Sequence, residues 1–460
     1  MTLIKSISGI RGTIGGAPEE NLTPLDAVRF AAAYGTWLRQ LHSNKPISVV
    51  LGRDARLSGA MIQGLVQNTL LAQGINVLDA GLSTTPTVEM AVVFEQAQGG
   101  IILTASHNPK QWNALKLLND KGEFVSANDG ATILELVSKN AFEFVGVDDL
   151  GTLSIKSNYI QEHIAAILAL PLVNQEAIQA SSLSVVVDAV NSTGGLAIPP
   201  LLKALGVRMH PLYCEPTGIF PHNPEPLKEH LGDLCETVVR EKADFGLVVD
   251  PDVDRLAFVD EKGQMFGEEY TLVACADYVL SKTPGNTASN LSSTHALKSI
   301  TQKYGGTYTA AAVGEVNVVR AMKKTHAVIG GEGNGGIIYP ELHYGRDALI
   351  GIALFLSLLA EKKQSVSSLK ATYPEFFMSK KKLQLKSGMN VDVLLDKVSH
   401  RFAEHQPLTI DGVKIEFDES WVHLRKSNTE PIIRIYTEAP SQAEANTLAE
   451  KFIGILTDFI

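Results

Sequence analysis

The feature that most constrains this chain is a pattern that comes round three times: a β-branched strand, a helix, a second strand, a helix, and a third strand that breaks abruptly into polar residues. The first round runs through strands at 47–51, 75–80 and 100–103, with helices at 59–74 and 87–96 between them, and ends in Thr104-Ala105-Ser106-His107-Asn108-Pro109. The second places strands at 183–189, 206–212 and 244–249 and ends in Asp250-Pro251-Asp252-Val253-Asp254-Arg255. A weaker third has strands at 287–292, 306–310 and 327–331, leading into Glu332. Strands alternating with helices of this length predict right-handed βαβ units and parallel strands covered on both faces. Repetition of architecture, without detectable repetition of residues, predicts three similar α/β domains.

After Pro374 the pattern changes to a strand at 378–386, an amphipathic helix at 391–405, period-two alternation at 413–417, further β character at 421–424 and 431–437, and a closing helix at 441–460. The expected fold class is therefore α/β: three α/β domains with mixed, mainly parallel sheets, then an α+β domain. The expected boundaries are 1–152, 153–259, 260–372 and 373–460. A chain of 460 residues needs several cores in any case.

Composition excludes some functions. A net charge of −10 argues against a general nucleic-acid surface, which needs clustered Lys and Arg, but permits a small anion held by a few arginines. Cys214, Cys235 and Cys275 are too dispersed for a compact metal motif and too few for a disulfide framework, which fits a reducing cytoplasm. The start of the chain has no apolar signal core. The apolar stretch 349–360 is too short to span a bilayer and predicts a buried helix.

Four loops carry chemistry. In the first, Pro109 keeps Asn108 out of helix, so Ser106 sits on a turn where backbone amides can receive a phosphate and the hydroxyl can carry one. Read alone, it is equally a Ser-Asn-Pro turn ending a strand. In the second, Asp250, Asp252 and Asp254 alternate after an apolar strand, so their side chains can converge on a hard cation such as Mg²⁺. A calcium loop would place its last ligand at Glu261, but Arg255 stands where that loop needs glycine. The third, Gly330-Gly331-Glu332-Gly333-Asn334-Gly335-Gly336, lets backbone approach a ligand while Glu332 and Asn334 hydrogen-bond hydroxyls or an amine; a plain glycine turn has the same composition. The fourth, Arg425-Lys426-Ser427-Asn428-Thr429-Glu430-Pro431 with Arg434, gathers phosphate donors, or is a solvated basic turn. Near the start, Gly9 and Gly12 flank Arg11 in a segment flexible enough to bring its guanidinium to an anion.

Taken together and in this order, the four loops resemble those of the α-D-phosphohexomutase superfamily over the whole chain, supported by Ser8-Gly9-Ile10-Arg11-Gly12 and by Gly52-Arg53-Asp54-Ala55-Arg56-Leu57-Ser58-Gly59. The resemblance implies four domains around a central cleft. It implies a phosphoserine at Ser106, and Mg²⁺ held by Asp250, Asp252, Asp254 and the phosphoserine oxygen. Lys116 would be the general base or acid, with Arg11, His107 and Arg255 beside it. Glu332 and Asn334 would orient the sugar, and Arg425, Ser427, Asn428, Thr429 and Arg434 would grip the phosphate that is not reacting. The implied reaction interconverts hexose 6- and 1-phosphates through a hexose bisphosphate, which also serves as activator. The implied partner is a small phosphosugar, with no nucleic acid or membrane, and the implied assembly is a monomer or homodimer. Two departures from the family pattern stand out. Pro251 and Val253 occupy positions that are commonly glycine, and Gly336 stands where many members have histidine, as in a branch of phosphoglucosamine and mixed-specificity mutases. A metal-dependent sugar phosphatase and a non-catalytic sugar-phosphate binder are the competing readings.

Overall fold

The computed structural model describes residues 2–6, 9–43, 46–385, 389–426 and 432–459. Its first sheet has seven strands: β1 (Ile4–Ser6), β2 (Gly9–Thr13), β3 (Ser48–Arg53), β4 (Asn76–Leu82), β5 (Gly99–Leu103), β6 (Trp112–Leu118) and β7 (Leu153–Ile155), in the order β1-β2-β6-β5-β3-β4-β7. The second has four, β8 (Ser184–Asp188), β9 (Arg208–Leu212), β10 (Phe245–Val249) and β11 (Leu256–Asp260), in the order β11-β10-β8-β9. The third comprises β12 (Asn286–Asn290), β13 (Tyr308–Ala311), β14 (Ala327–Glu332) and β15 (Gly336–Ile338), in the order β13-β12-β14-β15. The helices accompanying these sheets are α1 (Pro24–Leu41), α2 (Gly59–Ala72), α3 (Thr85–Phe94), α4 (Ala127–Lys139), α5 (Tyr159–Leu168), α6 (Gln175–Ser181), α7 (Gly194–Ala204), α8 (Gly232–Glu241), α9 (Glu268–Lys282), α10 (His295–Lys303), α11 (Glu315–Thr325), α12 (Ala348–Lys362) and α13 (Val366–Lys370).

The three sheets share one topology. In each, three parallel strands lie in the spatial order third, first, second, and a strand hydrogen-bonded antiparallel to the third returns along its outer edge: β6 on β5, β11 on β10, β15 on β14. Repeated architecture was expected; the return strands were not. They have a direct consequence, because each of the first three chemical loops is the connection between a third strand and its return strand. Three loops of different chemistry thus occupy the same place in three copies of one unit.

Local signals account for the elements. Thr23 caps α1 in a reciprocal box with Asp26, and Pro24 opens the helix where its missing N–H costs nothing. The segment predicted as a buried helix is α12, apolar on every face and buried nearly throughout. It packs between the second and third sheets, where Phe355 stacks on Phe258 with ring centroids 3.8 Å apart. These two units therefore share one continuous core, whereas the first sheet and α1 have their own around Phe30, Tyr34 and Trp37.

The fourth unit is an antiparallel sheet, β16 (Phe377–Gln384), β19 (Ile432–Ala439), β18 (Trp421–Lys426) and β17 (Val413–Glu416) in that order, covered by α14 (Val391–Arg401) and α15 (Gln442–Asp458). It meets the third unit through polar contacts. Ser292 Oγ lies 2.9 Å from His423 Nδ1, the His295 amide donates to Glu438, and the Val313 amide donates to Asp411. Among the described residues, no helix is long and apolar enough to cross a membrane.

Candidate active site

The β5–β6 hairpin presents Ser106 with φ +50°, in the left-handed region that L-residues seldom adopt. Its neighbours hold it there. The Ser106 amide donates to Thr104 Oγ1 at 2.9 Å, and Thr104 Oγ1 donates to Asp54 Oδ2 at 2.7 Å. Arg56, fully buried and paired with Asp54 at 3.0 Å, donates to the carbonyls of Ser106, Asn108, Pro109 and Trp112. One guanidinium thus fixes the backbone of the whole loop, which explains Asp54 and Arg56 in the supporting segment.

The β10–β11 hairpin brings the three aspartates together. One ligand atom from each of Asp250, Asp252 and Asp254 lies within 4.8 Å of the others, and all three are fully buried. All three α/β units hold this loop. The Pro251 carbonyl accepts from Ser192 and Thr193, the Asp252 carbonyl from the Thr85 amide at the start of α3, and the Val253 carbonyl from the Ala348 amide at the start of α12. The calcium-loop alternative is excluded, because β11 follows at once and Glu261 turns away to accept from Ser367.

Ser106 Oγ donates to Asp250 Oδ2 at 2.6 Å, joining the first two loops. Burial, then the charges of Asp252 and Asp254, push the Asp250 carboxyl well above its ordinary range. Lys116 reaches from β6 to Asp252 Oδ2 at 2.7 Å and Asp254 Oδ2 at 3.3 Å. Burial works against its ammonium, but the two carboxylates outweigh it and raise its pKa. Lys116 therefore keeps its proton in this arrangement, paired with the two carboxylates. Asp254 shows the converse: burial alone would raise it, and Arg346, Lys116 and Arg255 together hold it below the usual carboxylate range.

The aspartates fit a cation. Asp252 Oδ1 and Asp254 Oδ1 are buried without any hydrogen-bond partner, which is costly unless a positive ion takes them. An all-oxygen donor set of carboxylates is the chemistry Mg²⁺ prefers.

Cationic groups rim the site. Arg11 lies on β2, an ordered strand paired with β6 rather than the flexible turn expected from its glycines, and donates to Asn108 Oδ1 at 2.9 Å. Arg255 donates its amide to Asp250 Oδ1, and its Nε is buried without a partner. His107 Nδ1 lies 3.3 Å from Ser106 Oγ; burial and the nearby Arg255 push its pKa well down, so the ring is neutral.

The third loop closes against the second. The Leu256 amide donates to the Gly335 carbonyl, and a Cβ on Gly335, where φ is +86°, would lie 2.2 Å from the Leu256 carbonyl oxygen. Glu332 Oε1 accepts from Asn290 Nδ2 at 2.9 Å and the Gly314 amide at 3.0 Å. Asn334 is half-buried and bonds within its own loop, accepting from the Gly336 amide.

Sequence reading missed Arg346. This buried guanidinium donates to Glu332 Oε2 at 2.8 Å, Asp254 Oδ2 at 2.7 Å and Glu315 Oε2 at 2.9 Å. It links the aspartate loop to the glycine-rich loop through side chains, and it holds Glu332 ionised against burial. It stands beside Asp347, the N-cap of α12, and no local signal in the sequence marked it.

The fourth loop lies only partly within view. Arg425 and Arg434 face each other across the β18–β19 ladder, with Arg425 Nε 3.0 Å from Asp411 and Arg434 donating to Tyr436. Ser427, Asn428 and Thr429 lie outside the described residues.

Known proteins match this arrangement from end to end. Models of phosphoglucomutase/phosphomannomutase α/β/α domains I, II and III match residues 4–144, 161–263 and 267–376, and the model of the C-terminal domain matches 380–455. A phosphoglucomutase/phosphomannomutase of Thermococcus kodakarensis is 34% identical, the alignment covering 97% of this chain and 98% of the relative. A phosphoglucosamine/phosphogalactosamine mutase of Sulfurisphaera tokodaii is 30% identical, with 97% and 98% covered. The crystal structure of a phosphoglucomutase/phosphomannomutase family protein from Burkholderia thailandensis superposes with a TM-score of 0.82 at 26% identity, covering 99% of this chain and 98% of that one.

Proposed function

The chain belongs to the phosphoglucomutase/phosphomannomutase family and is a phosphohexomutase, and from that premise we propose that it moves a phosphoryl group between the 6- and 1-positions of glucosamine phosphate by way of phospho-Ser106. The observation that carries the reading is the unbroken path from Ser106 Oγ to Asp250, through the aspartate loop to Asp254, and on through Arg346 to Glu332. It puts the proposed nucleophile, metal loop and sugar-orienting carboxylate in one connected site.

Phosphoryl transfer asks for alignment and charge neutralisation more than covalent chemistry. Asp250, Asp252, Asp254 and the phosphoserine would hold Mg²⁺, which supplies positive charge to the transferring group. Arg11 and Arg255 add charge from the protein. Lys116 holds a proton beside the aspartates, placed to exchange it with a sugar hydroxyl, and neutral His107 lines the nucleophile. Arg425 and Arg434, with Ser427, Asn428 and Thr429, would grip the phosphate at whichever end is not reacting. The bisphosphorylated sugar would turn over between half-reactions while the closed cleft keeps water from the phosphoserine. With Gly336 in the sugar loop, no general acid comes from that position. The free thiols fit a reducing cytoplasmic setting.

A second reading, mixed activity on glucose and mannose phosphates, is favoured by Glu332 itself. Asn290, Gly314 and Arg346 already occupy both its oxygens, leaving it suited to accept from a hydroxyl as readily as from an ammonium. The T. kodakarensis relative carries a phosphoglucomutase/phosphomannomutase name.

Coupled assays on glucosamine, glucose and mannose 1-phosphates, each primed with its bisphosphate, rank the substrates. Intact-protein mass should show one added phosphate, lost together with turnover in Ser106→Ala. Full activity in that variant sinks the nucleophile assignment, and phosphate release exceeding isomerisation favours a phosphatase.

A further inference from the structure

Behind the aspartate loop lies a second cluster that the mutase chemistry does not use. His163 on α5, His343 in the loop after β15, Asp347 at the start of α12 and Glu89 on α3 come from three different sheet units and meet beneath the surface, with His343 partly exposed. His163 and Asp347 are fully buried, and Glu89 is 1% exposed. His163 Nε2 lies 2.9 Å and His343 Nε2 3.4 Å from the same oxygen, Asp347 Oδ2. The two rings stand nearly perpendicular, with centroids 6.1 Å apart.

We propose that His163 Nε2, His343 Nε2 and Asp347 Oδ2 form a binding site for a divalent transition ion of the Zn²⁺ class, distinct from the aspartate site and structural in role. Three observations carry this. The first is spacing. Ligand atoms about 2.0–2.1 Å from a metal and about 90–110° apart are separated by roughly 2.8–3.4 Å. The two distances to Asp347 Oδ2, 2.9 and 3.4 Å, fall in that range, and potential ligand atoms of the three residues lie within 4.8 Å of one another. The second is the outer shell. Ligating imidazoles donate their other N–H to a fixed acceptor, and here His343 Nδ1 faces Glu89 Oε2 at 3.4 Å while His163 Nδ1 faces Thr87 Oγ1 at 3.0 Å. Asp347 Oδ1, the oxygen turned away, accepts from the Leu349 and Ile350 amides. The third is Glu89, a buried carboxylate aimed at the cluster, whose Oε2 faces His343 Nδ1 at 3.4 Å and whose Oε1 has no hydrogen-bond partner. Gly345 packs against it so closely that a Cβ there would come 1.8 Å from Oε2, so the backbone is shaped around this carboxylate.

With an ion at the two Nε2 atoms, each remaining ring nitrogen points at an acceptor, Glu89 for His343 and Thr87 for His163. Imidazole donors select Zn²⁺, Co²⁺ and their neighbours over Mg²⁺, so the two sites would not compete for one metal.

Position gives the ion its role. Thr85, two residues before Thr87, donates to Asp252, and Arg346, beside Asp347, donates to Asp254. An ion at this point would staple α3, α5 and α12 together and fix the backs of two residues that grip the aspartate loop.

The test is metal content. Protein produced and refolded with Zn²⁺, then dialysed against a mild chelator, should retain one Zn²⁺ per chain by elemental analysis, and refolding with Co²⁺ should give the visible d–d bands of a nitrogen-ligated ion. Asp252→Asn should keep that ion, while His163→Gln and His343→Gln should lose it. Glu89→Gln should weaken binding about 10- to 100-fold. Wild-type protein without stoichiometric Zn²⁺ or Co²⁺ overturns the proposal with no variant needed, as does an ion that disappears in Asp252→Asn and persists in both histidine variants.

Discussion

Replacing Arg346 with Met tests the link between the two loops. The guanidinium makes three charge-assisted bonds, but they are not equally exposed to its loss. Glu332 keeps Asn290 and the Gly314 amide, and Asp254 keeps Lys116. Glu315, whose carboxyl burial already pushes upward, can take a proton. What the reaction loses is one charge-assisted bond that orients Glu332, worth about 1.5–3 kcal/mol. At about 1.4 kcal/mol per factor of ten, kcat/KM should fall roughly 10- to 150-fold. The Mg²⁺ dependence should shift the other way, because removing a cation 2.7 Å from Asp254 leaves that site more negative and its divalent ion more tightly held. Steady-state kinetics on the preferred sugar phosphate, Mg²⁺ titration by calorimetry, and circular dichroism to verify folding measure all three. A double-mutant cycle with Glu332→Gln separates mechanism from general damage: if Arg346 acts through Glu332, the double variant is scarcely worse than the poorer single one. Additive losses, or a folded Arg346→Met enzyme within twofold of wild type, refute the reasoning.

Chelation should abolish turnover, and Mg²⁺ at a hundred times its Kd should stabilise the wild type by about 2.7 kcal/mol; a thermal midpoint unmoved by Mg²⁺, or moved equally in Asp252→Asn, contradicts the aspartate site. Gly335→Ala should cost at least about 1–2 kcal/mol for the left-handed backbone alone, with more from the contact with the Leu256 carbonyl, and should raise KM for the sugar; an unchanged midpoint and KM count against the close packing of the two loops. His423, at the joint between the third and fourth units, has its pKa pushed down to about 4, by burial first and by Lys414 and Arg425 after it. Its folded value lies below its unfolded value of about 6.5, so the stability it contributes is whole above about pH 6.5 and is lost as pH falls towards 4, by up to about 3 kcal/mol. Thermal melts between pH 7 and 4.5 should show a smaller acid loss in His423→Gln than in the wild type; equal losses refute the assignment.

The parallel strands were legible because β-branched runs bounded by glycine and charge have few other ways to fold, and the buried helix α12 because it is apolar on all faces. The return strands were not. In β6 the sequence Trp112-Asn113-Ala114-Leu115-Lys116-Leu117-Leu118 mixes buried apolar residues with a lysine that serves the site, and β15 is only three residues long. Strand β2 misled for a physical reason. Its glycines read as a flexible turn, yet a Cβ at Gly9 would fall 1.9 Å from the Leu115 carbonyl oxygen, so that glycine is what lets β2 lie against β6. Arg346 was illegible in principle: its three partners lie 14, 31 and 92 residues away, and nothing local records such a convergence.

The shared topology explains why sites of such different chemistry converge. Turning sharply from a third strand into its antiparallel neighbour calls for a residue with positive φ, and each hairpin has one: Ser106 at +50°, Val253 at +64° and Gly335 at +86°. Glycine adopts this conformation freely, whereas another residue there costs about 1–2 kcal/mol. The third loop takes the glycine because its backbone must meet the Leu256 carbonyl. The second holds a valine, whose burial offsets the strain. The first can take neither solution, since its apex must carry a hydroxyl into the aspartate cluster, and its strain is opposed instead by the five hydrogen bonds that Arg56 and Thr104 make to the loop. The buried Arg56–Asp54 pair is thus the support on which a left-handed serine depends, and the place where the loop is held most firmly is the residue on which the proposed chemistry turns.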